Sequence, residues 1–172
     1  MNRAPVSKID RPDGLPGVTL VTTEHWGYES APHAREEWTL GLCPDGLDEF
    51  RCESGVYRVE PGQIIAIPPG RIHSDRARAG RIWMIYAASL GVDPTKHGFA
   101  KPVFTDPELA RRIARLFSRK DRASWNAVQA RLLQADWLVE SESVVSSVVV
   151  PWSRIRRPRA VGQPAVAAAA YH

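Results

Sequence analysis

The sequence predicts a mainly β domain, an antiparallel sandwich or barrel, followed by two or three α-helices. Three observations predict it. Between residues 18 and 88, short runs rich in β-branched and aromatic residues recur at close intervals, each closed by turn residues. No helical period interrupts them, so the strand–helix alternation that builds a parallel sheet is missing. After Gly98 the pattern changes to apolar residues at helical spacing.

The strands read in order as "VTLVT" (18–22), "EWTLGLC" (37–43), "DEFRCE" (48–53), "VYRVE" (56–60), "IIAI" (64–67) and "RIWMIYA" (81–87). Breaks fall at Pro44-Asp45-Gly46, Ser54-Gly55, Pro61-Gly62, Pro68-Pro69-Gly70 and Ala79-Gly80. Pro61-Gly62 suits the centre of a type II turn, because proline presets φ and glycine accepts the positive φ that follows. Pro68-Pro69-Gly70 stops the next strand and leaves His73 at the rim of whatever the sheet encloses. Cys43 and Cys52 flank "PDGLDEF", which reads as a hairpin turn with the two thiols as cross-strand neighbours in the reduced state.

The first helix opens at Asp106 as N-cap, with Pro107 in the first helical position and Glu108 in the first turn. Leu109, Ile113, Leu116 and Phe117 share one face; Arg111, Arg112, Arg115 and Arg119 take the other. A second helix is expected after Ser124, with Trp125, Val128, Leu132, Leu133 and Val139 on its apolar side. "ESESVVSSVVV" extends it on this reading, and Pro151 ends it.

Composition bounds the function. Of the 23 Lys and Arg, four (Arg154, Arg156, Arg157 and Arg159) lie after residue 150, and the remainder balance the 19 acids. The folded part therefore lacks the basic excess of a nucleic-acid binder. The charge cluster near the chain end reads as solvated. No apolar run is long enough to span a bilayer, and the first residues lack a signal peptide's apolar core. A cytoplasmic location is expected.

Residues 33–37, His-Ala-Arg-Glu-Glu, place His33, Arg35 and Glu37 on one face if the segment is extended. Trp38, Leu40 and Leu42 then take the other. With His73, three readings stand. His33, Glu37 and His73 can be metal ligands, but Arg35 between them is a permanent cation that repels metal. His73 can simply bond to the Pro-Pro-Gly turn. Or His33, Arg35, Glu37 and His73 form a metal-free polar pocket for a ligand's oxygens, which this residue set favours. Trp83 is a candidate wall that stacks on a sugar or aromatic ring; core packing is the plainer alternative.

The spacing Gly62, Pro68, Gly70, His73 matches the second motif of cupin barrels at all four fixed positions, and Gly27 and His33 match the start of the first. Arg35 replaces that motif's second histidine, and Ala77 replaces the second motif's asparagine. "PHAREEWTLGLCPDG", "YRVEPGQIIAIPPGRIHS" and the helix opening Asp-Pro-Glu-Leu together resemble the effector-binding domain of AraC/XylS-type transcriptional regulators over roughly residues 18–150. The resemblance implies a cupin (double-stranded β-helix, or jelly-roll) barrel with helices behind it.

The implied organisation is an N-terminal arm (1–17), the barrel (18–100), a helical dimerisation segment (101–150) and a basic, Ala-rich, linker-like tail (151–172). The implied function is sensing of a small effector, a sugar or other small polar metabolite, with no cofactor and no catalysis. Pairing is expected with a second copy or with a full-length relative. In that family a helix-turn-helix region follows, so a truncated regulator is expected that binds no specific DNA alone. The competing reading is a small metal-dependent cupin oxygenase or isomerase.

Overall fold

A computed structural model describes residues 6–53, 55–135 and 137–140. The chain runs through β1 (Val6–Asp10), β2 (Val18–Glu29), β3 (Trp38–Cys43), β4 (Leu47–Cys52), β5 (Gly55–Val59), β6 (Gln63–Ile67), β7 (His73–Ala87), β8 (His97–Phe99) and β9 (Val103–Phe104). Two helices follow, α1 (Pro107–Arg119) and α2 (Arg122–Gln134), and then β10 (Leu138–Glu140). All strand pairs are antiparallel. Eight strands join in one sheet with the path β1-β2-β7-β3-β6-β9, with β4 on β7 and β5 on β4.

The long strand β7 makes the barrel. Along one edge it carries β2 from Val18↔Ala87 to Glu29↔Arg76. Along the other it pairs first with β4 (Cys52↔His73) and then with β3 (Trp38↔Ala87). The strand thus passes from one side of the barrel to the other near Gly80, whose φ of +149° suits glycine. Gly62 and Gly70, with φ of +83° and +76°, make the expected turns on either side of β6.

The sheet separates two apolar clusters. Trp38, Leu40, Leu42, Ile64, Ala66 and Ile85 face the helices and pack on Leu109, Ile113, Leu116, Trp125, Val128 and Leu132. Their neighbours Cys43, Ile65, Ile67 and Ile82 face the interior with Leu47, Phe50, Val59 and Ala77. Period-2 alternation explains the split in β3 and β6. In β7 the parity changes, since odd-numbered Ala77 and even-numbered Ile82 share the interior. Gly80 lies between them.

The helices fit their expected chemistry, with corrections. Asp106 caps α1, accepting from Leu109 N at 2.9 Å. The cap of α2 is Asp121, which accepts from Ser124 N at 2.8 Å, so this helix begins before Ser124. Leu133 is half exposed rather than buried. Val139 is not helical; β10 pairs with β8 through Val139↔Gly98. The tail and most of "ESESVVSSVVV" lie outside the described residues. The β3–β4 turn is not a hairpin either. Pro44-Asp45-Gly46 carries the chain across the barrel, so Cys43 pairs with Gln63 while Cys52 pairs with His73 and Gly55. Neither thiol is in a disulfide, and burial, then the nearby Asp75 charge, pushes that of Cys43 up to about 12. No helix among the described residues is long and apolar enough to cross a membrane.

Candidate ligand-binding site

His73 does not sit at a rim where the chain leaves the sheet. It is the first residue of β7, only 5% exposed, and it bonds to His33 through both backbone groups, at 2.9 and 3.0 Å. This bridge lays the two imidazoles together, with ring centres 4.3 Å apart and planes tilted by 55°. Phe50 sits behind His73, 6.4 Å between centres.

Each ring is oriented by a carbonyl close to it in the chain. His33 Nδ1 lies 2.9 Å from Ala31 O, and His73 Nδ1 lies 3.0 Å from Arg71 O. A carbonyl only accepts, so Nδ1 carries a proton in both rings, and Nε2 is the acceptor wherever the ring is neutral. The turn contact anticipated for His73 is therefore present, yet it uses one nitrogen only. Burial pulls the His73 pKa below its usual value; the contact to Arg71 opposes this, while the His33 and Arg35 charges add to it. The neutral ring is the favoured form.

Arg35 joins them. Its backbone carbonyl accepts from Gly70 N at 2.7 Å, tying residue 35 to the Pro-Pro-Gly turn. Its guanidinium lies 4.1 Å from the centre of the Tyr86 ring. Among the described residues no ion pair involves Arg35. Residues 33–37 do not form a regular strand; only His33 makes a bridge. Trp38, Leu40 and Leu42 do take the opposite, helix-facing side.

The remaining candidates divide. Glu37 is half buried, and its charge helps to raise the Tyr86 pKa, after burial as the largest cause. Trp83 does not reach the group. It is on the helix-facing side of β7 and stacks on Phe117 of α1, 5.4 Å between centres, because its parity is that of Ile85 rather than Tyr86. Packing, not a ligand wall, is its role in this structure.

Sequence reasoning missed three neighbours. Asp75 accepts from Ser30 Oγ at 2.6 Å and its charge reaches His73, Tyr28 and Tyr86. Tyr28 has its hydroxyl pushed up to about 12 by burial and then by Asp75, and Tyr86 is raised as well, so both phenols stay protonated. Tyr86 stands between Thr19 and Thr39 on adjacent strands. An alternating β7 from His73 carried the only signal: it puts Asp75 and Ala77 beside the histidine.

The donor set does not suit a resident metal. Arg35 stands beside the two histidines, and among the described residues no three His, Cys, Asp or Glu side chains are grouped to hold an ion. The set does suit hydrogen bonding: two Nε2 acceptors, a guanidinium donor and phenol hydroxyls.

Solved structures similar to this chain include a conserved protein of unknown function from Streptococcus pyogenes (21% identity, 50% of this chain and 75% of that one, TM-score 0.44). Others are KdgF from Halomonas sp. (22% identity, 48% and 78%, TM-score 0.42) and a cupin superfamily protein from Desulfitobacterium hafniense (14% identity, 52% and 82%, TM-score 0.46). No curated protein matches the chain. The model of the AraC-like ligand binding domain matches residues 15–135, from the loop before β2 to the end of α2, and so takes in the barrel, the histidine pair and both helices. The chain belongs to the AraC-like ligand-binding domain family.

Proposed function

We propose that this chain is the effector-sensing and dimerisation module of an AraC-type transcriptional regulator. On this reading it is not an enzyme, and its effector is a small hydroxylated metabolite such as a sugar. One observation carries the assignment of the site: two imidazoles side by side, each turned by a carbonyl at Nδ1 so that Nε2 is left for a ligand, next to a guanidinium that no carboxylate engages. Neighbouring hydroxyls complement that set, since they donate to the two Nε2 atoms and accept from Arg35. Glu37 stands near enough to Tyr86 to close one side. The helices behind the barrel would carry the signal to a second subunit.

A thermal-shift screen of sugars and small polar metabolites tests this, followed by calorimetry on Arg35→Ala and His73→Ala. Each lost polar contact is worth about 1–3 kcal/mol, less at exposed Arg35 than at buried His73. Binding is expected to weaken accordingly while both variants stay folded. Unfolding of both variants in the absence of ligand rejects the site. Sedimentation of the free chain tests the pairing, with a dimer expected.

A further inference from the structure

A cavity of about 280 Å³ lies where β7 crosses the barrel, away from the histidine pair and lined by Glu24, His25, Trp26, Asp45, Gly80 and Arg81. A second, of about 220 Å³, shares Asp45 with it and adds Asp48, Arg58 and Glu60. Beneath the first is His25, 2% exposed, with neither Nδ1 nor Nε2 bonded. Among the described residues these are the only buried side-chain nitrogen or oxygen atoms without a partner. Folded proteins rarely leave such atoms unpaired, and those they do leave demand an explanation.

The surroundings specify the missing partner. Asp45 accepts from Arg81 N at 3.0 Å and from Arg81 Nε at 3.1 Å, both on Oδ2, so Oδ1 is not used by that pair. Among the described residues, Glu24 and Asp45 outnumber Arg81, and in the adjoining cavity Asp45, Asp48 and Glu60 outnumber Arg58. Trp26, 38% exposed, lies at the edge. A neutral imidazole accepts at its bare nitrogen, and burial keeps His25 neutral against the opposing charges of Asp75 and Asp45. A metal ion lacks the three grouped donors it needs, and an anion meets the wrong charge.

We propose that this cavity is a second binding site, for a small organic ammonium ion. Its N–H groups bond to His25 and to Asp45 Oδ1, Glu24 adds charge, and the Trp26 ring shifts to admit and then cover it. The site is independent of the effector assignment.

Calorimetry of the whole chain with methylammonium and putrescine, against sodium chloride at equal ionic strength, tests it. At least one amine should bind saturably at one per chain. Glu24→Gln and Asp45→Asn should each weaken that binding by about tenfold, the loss of one charged contact. His25→Leu should abolish it while raising the thermal midpoint, because a buried pair of unpartnered nitrogens is replaced by methyl groups. Three results overturn the proposal: no saturable binding of any of the amines, equal binding to Glu24→Gln and His25→Leu, or a lowered midpoint in His25→Leu.

Discussion

The two sides of the main sheet are built for different purposes. On the helix side the centre is apolar and closed: Trp38, Leu40, Ile85, Leu109, Ile113 and Leu116 are each at most 1% exposed. Its buried carboxylate is fully engaged. Asp106, 3% exposed, accepts from Leu109 N, Arg131 Nε and Trp137 Nε1, all at 2.9 Å. On the interior side the apolar cluster is smaller, and the same sheet carries His25, Tyr28, His73, Asp75 and Tyr86. There the bonds are incomplete. A packed, satisfied face answers to stability, whereas a face with spare acceptors answers to a partner. Substitutions should therefore separate: helix-side changes lower stability, and interior polar changes lower binding.

The largest effect is expected from Trp38→Ala. Trp38 is 1% exposed and meets Phe99 edge-on at 5.5 Å, so truncation leaves a cavity between β3 and the helices. A loss of about 3–5 kcal/mol is expected from chemical denaturation. A loss below about 1 kcal/mol would break the division between the two faces. Next comes Asp106→Ala. It removes a helix cap and strands two donors, for about 2–4 kcal/mol. Burial alone would raise this carboxyl, but the bonds from Leu109, Trp137 and Arg131 outweigh it and hold its pKa below the usual value. Asp106→Asn keeps the cap and should cost less than half as much in the same measurement.

What could be read in the sequence follows the same division. The apolar side writes itself into periodicity. Leu109, Ile113 and Leu116 recur at helical spacing, and "IIAI" between two Pro-Gly turns admits little but a strand. The interior polar set does not recur, because its members come from β2, the 33–37 segment and both halves of β7. The first half of β7, "HSDRARAG", offers no apolar alternation beyond Ala77, so an unbroken strand from His73 was not legible. The change of parity near Gly80 hides the rest. Trp83 belongs to the face of Ile85, and only the pairing with β3 and the stack on Phe117 reveal it. His33 and His73 were found because cupin-like spacing marks them; Asp75, two residues on, carries no such mark.

The smallest effect sharpens the comparison most, because it isolates the interior from everything else. Burial is the main cause that lowers His25 and His73 below the usual 6.5. Above that value both are neutral in the folded and unfolded chains, and pH does nothing through them. As pH falls below 6.5 the unfolded chain takes up protons that the folded one refuses. Stability then falls with pH until the lowered folded values are passed. The carboxylates that the fold holds low, Asp106, Asp45 and Asp10 among them, keep their contribution until pH approaches their usual 3.8. Among the described residues, the interval between about pH 6.5 and pH 5 therefore reports chiefly on His25 and His73. Thermal unfolding at pH 7.5, 6.5 and 5.5 should show a midpoint that is flat over the first step and lower over the second. His25→Leu and His73→Asn should each flatten that second step, whereas Asp106→Asn should lower all three midpoints by the same amount. A second step that survives in the double variant His25→Leu, His73→Asn would place the titrating group elsewhere and dissolve the contrast between the two faces.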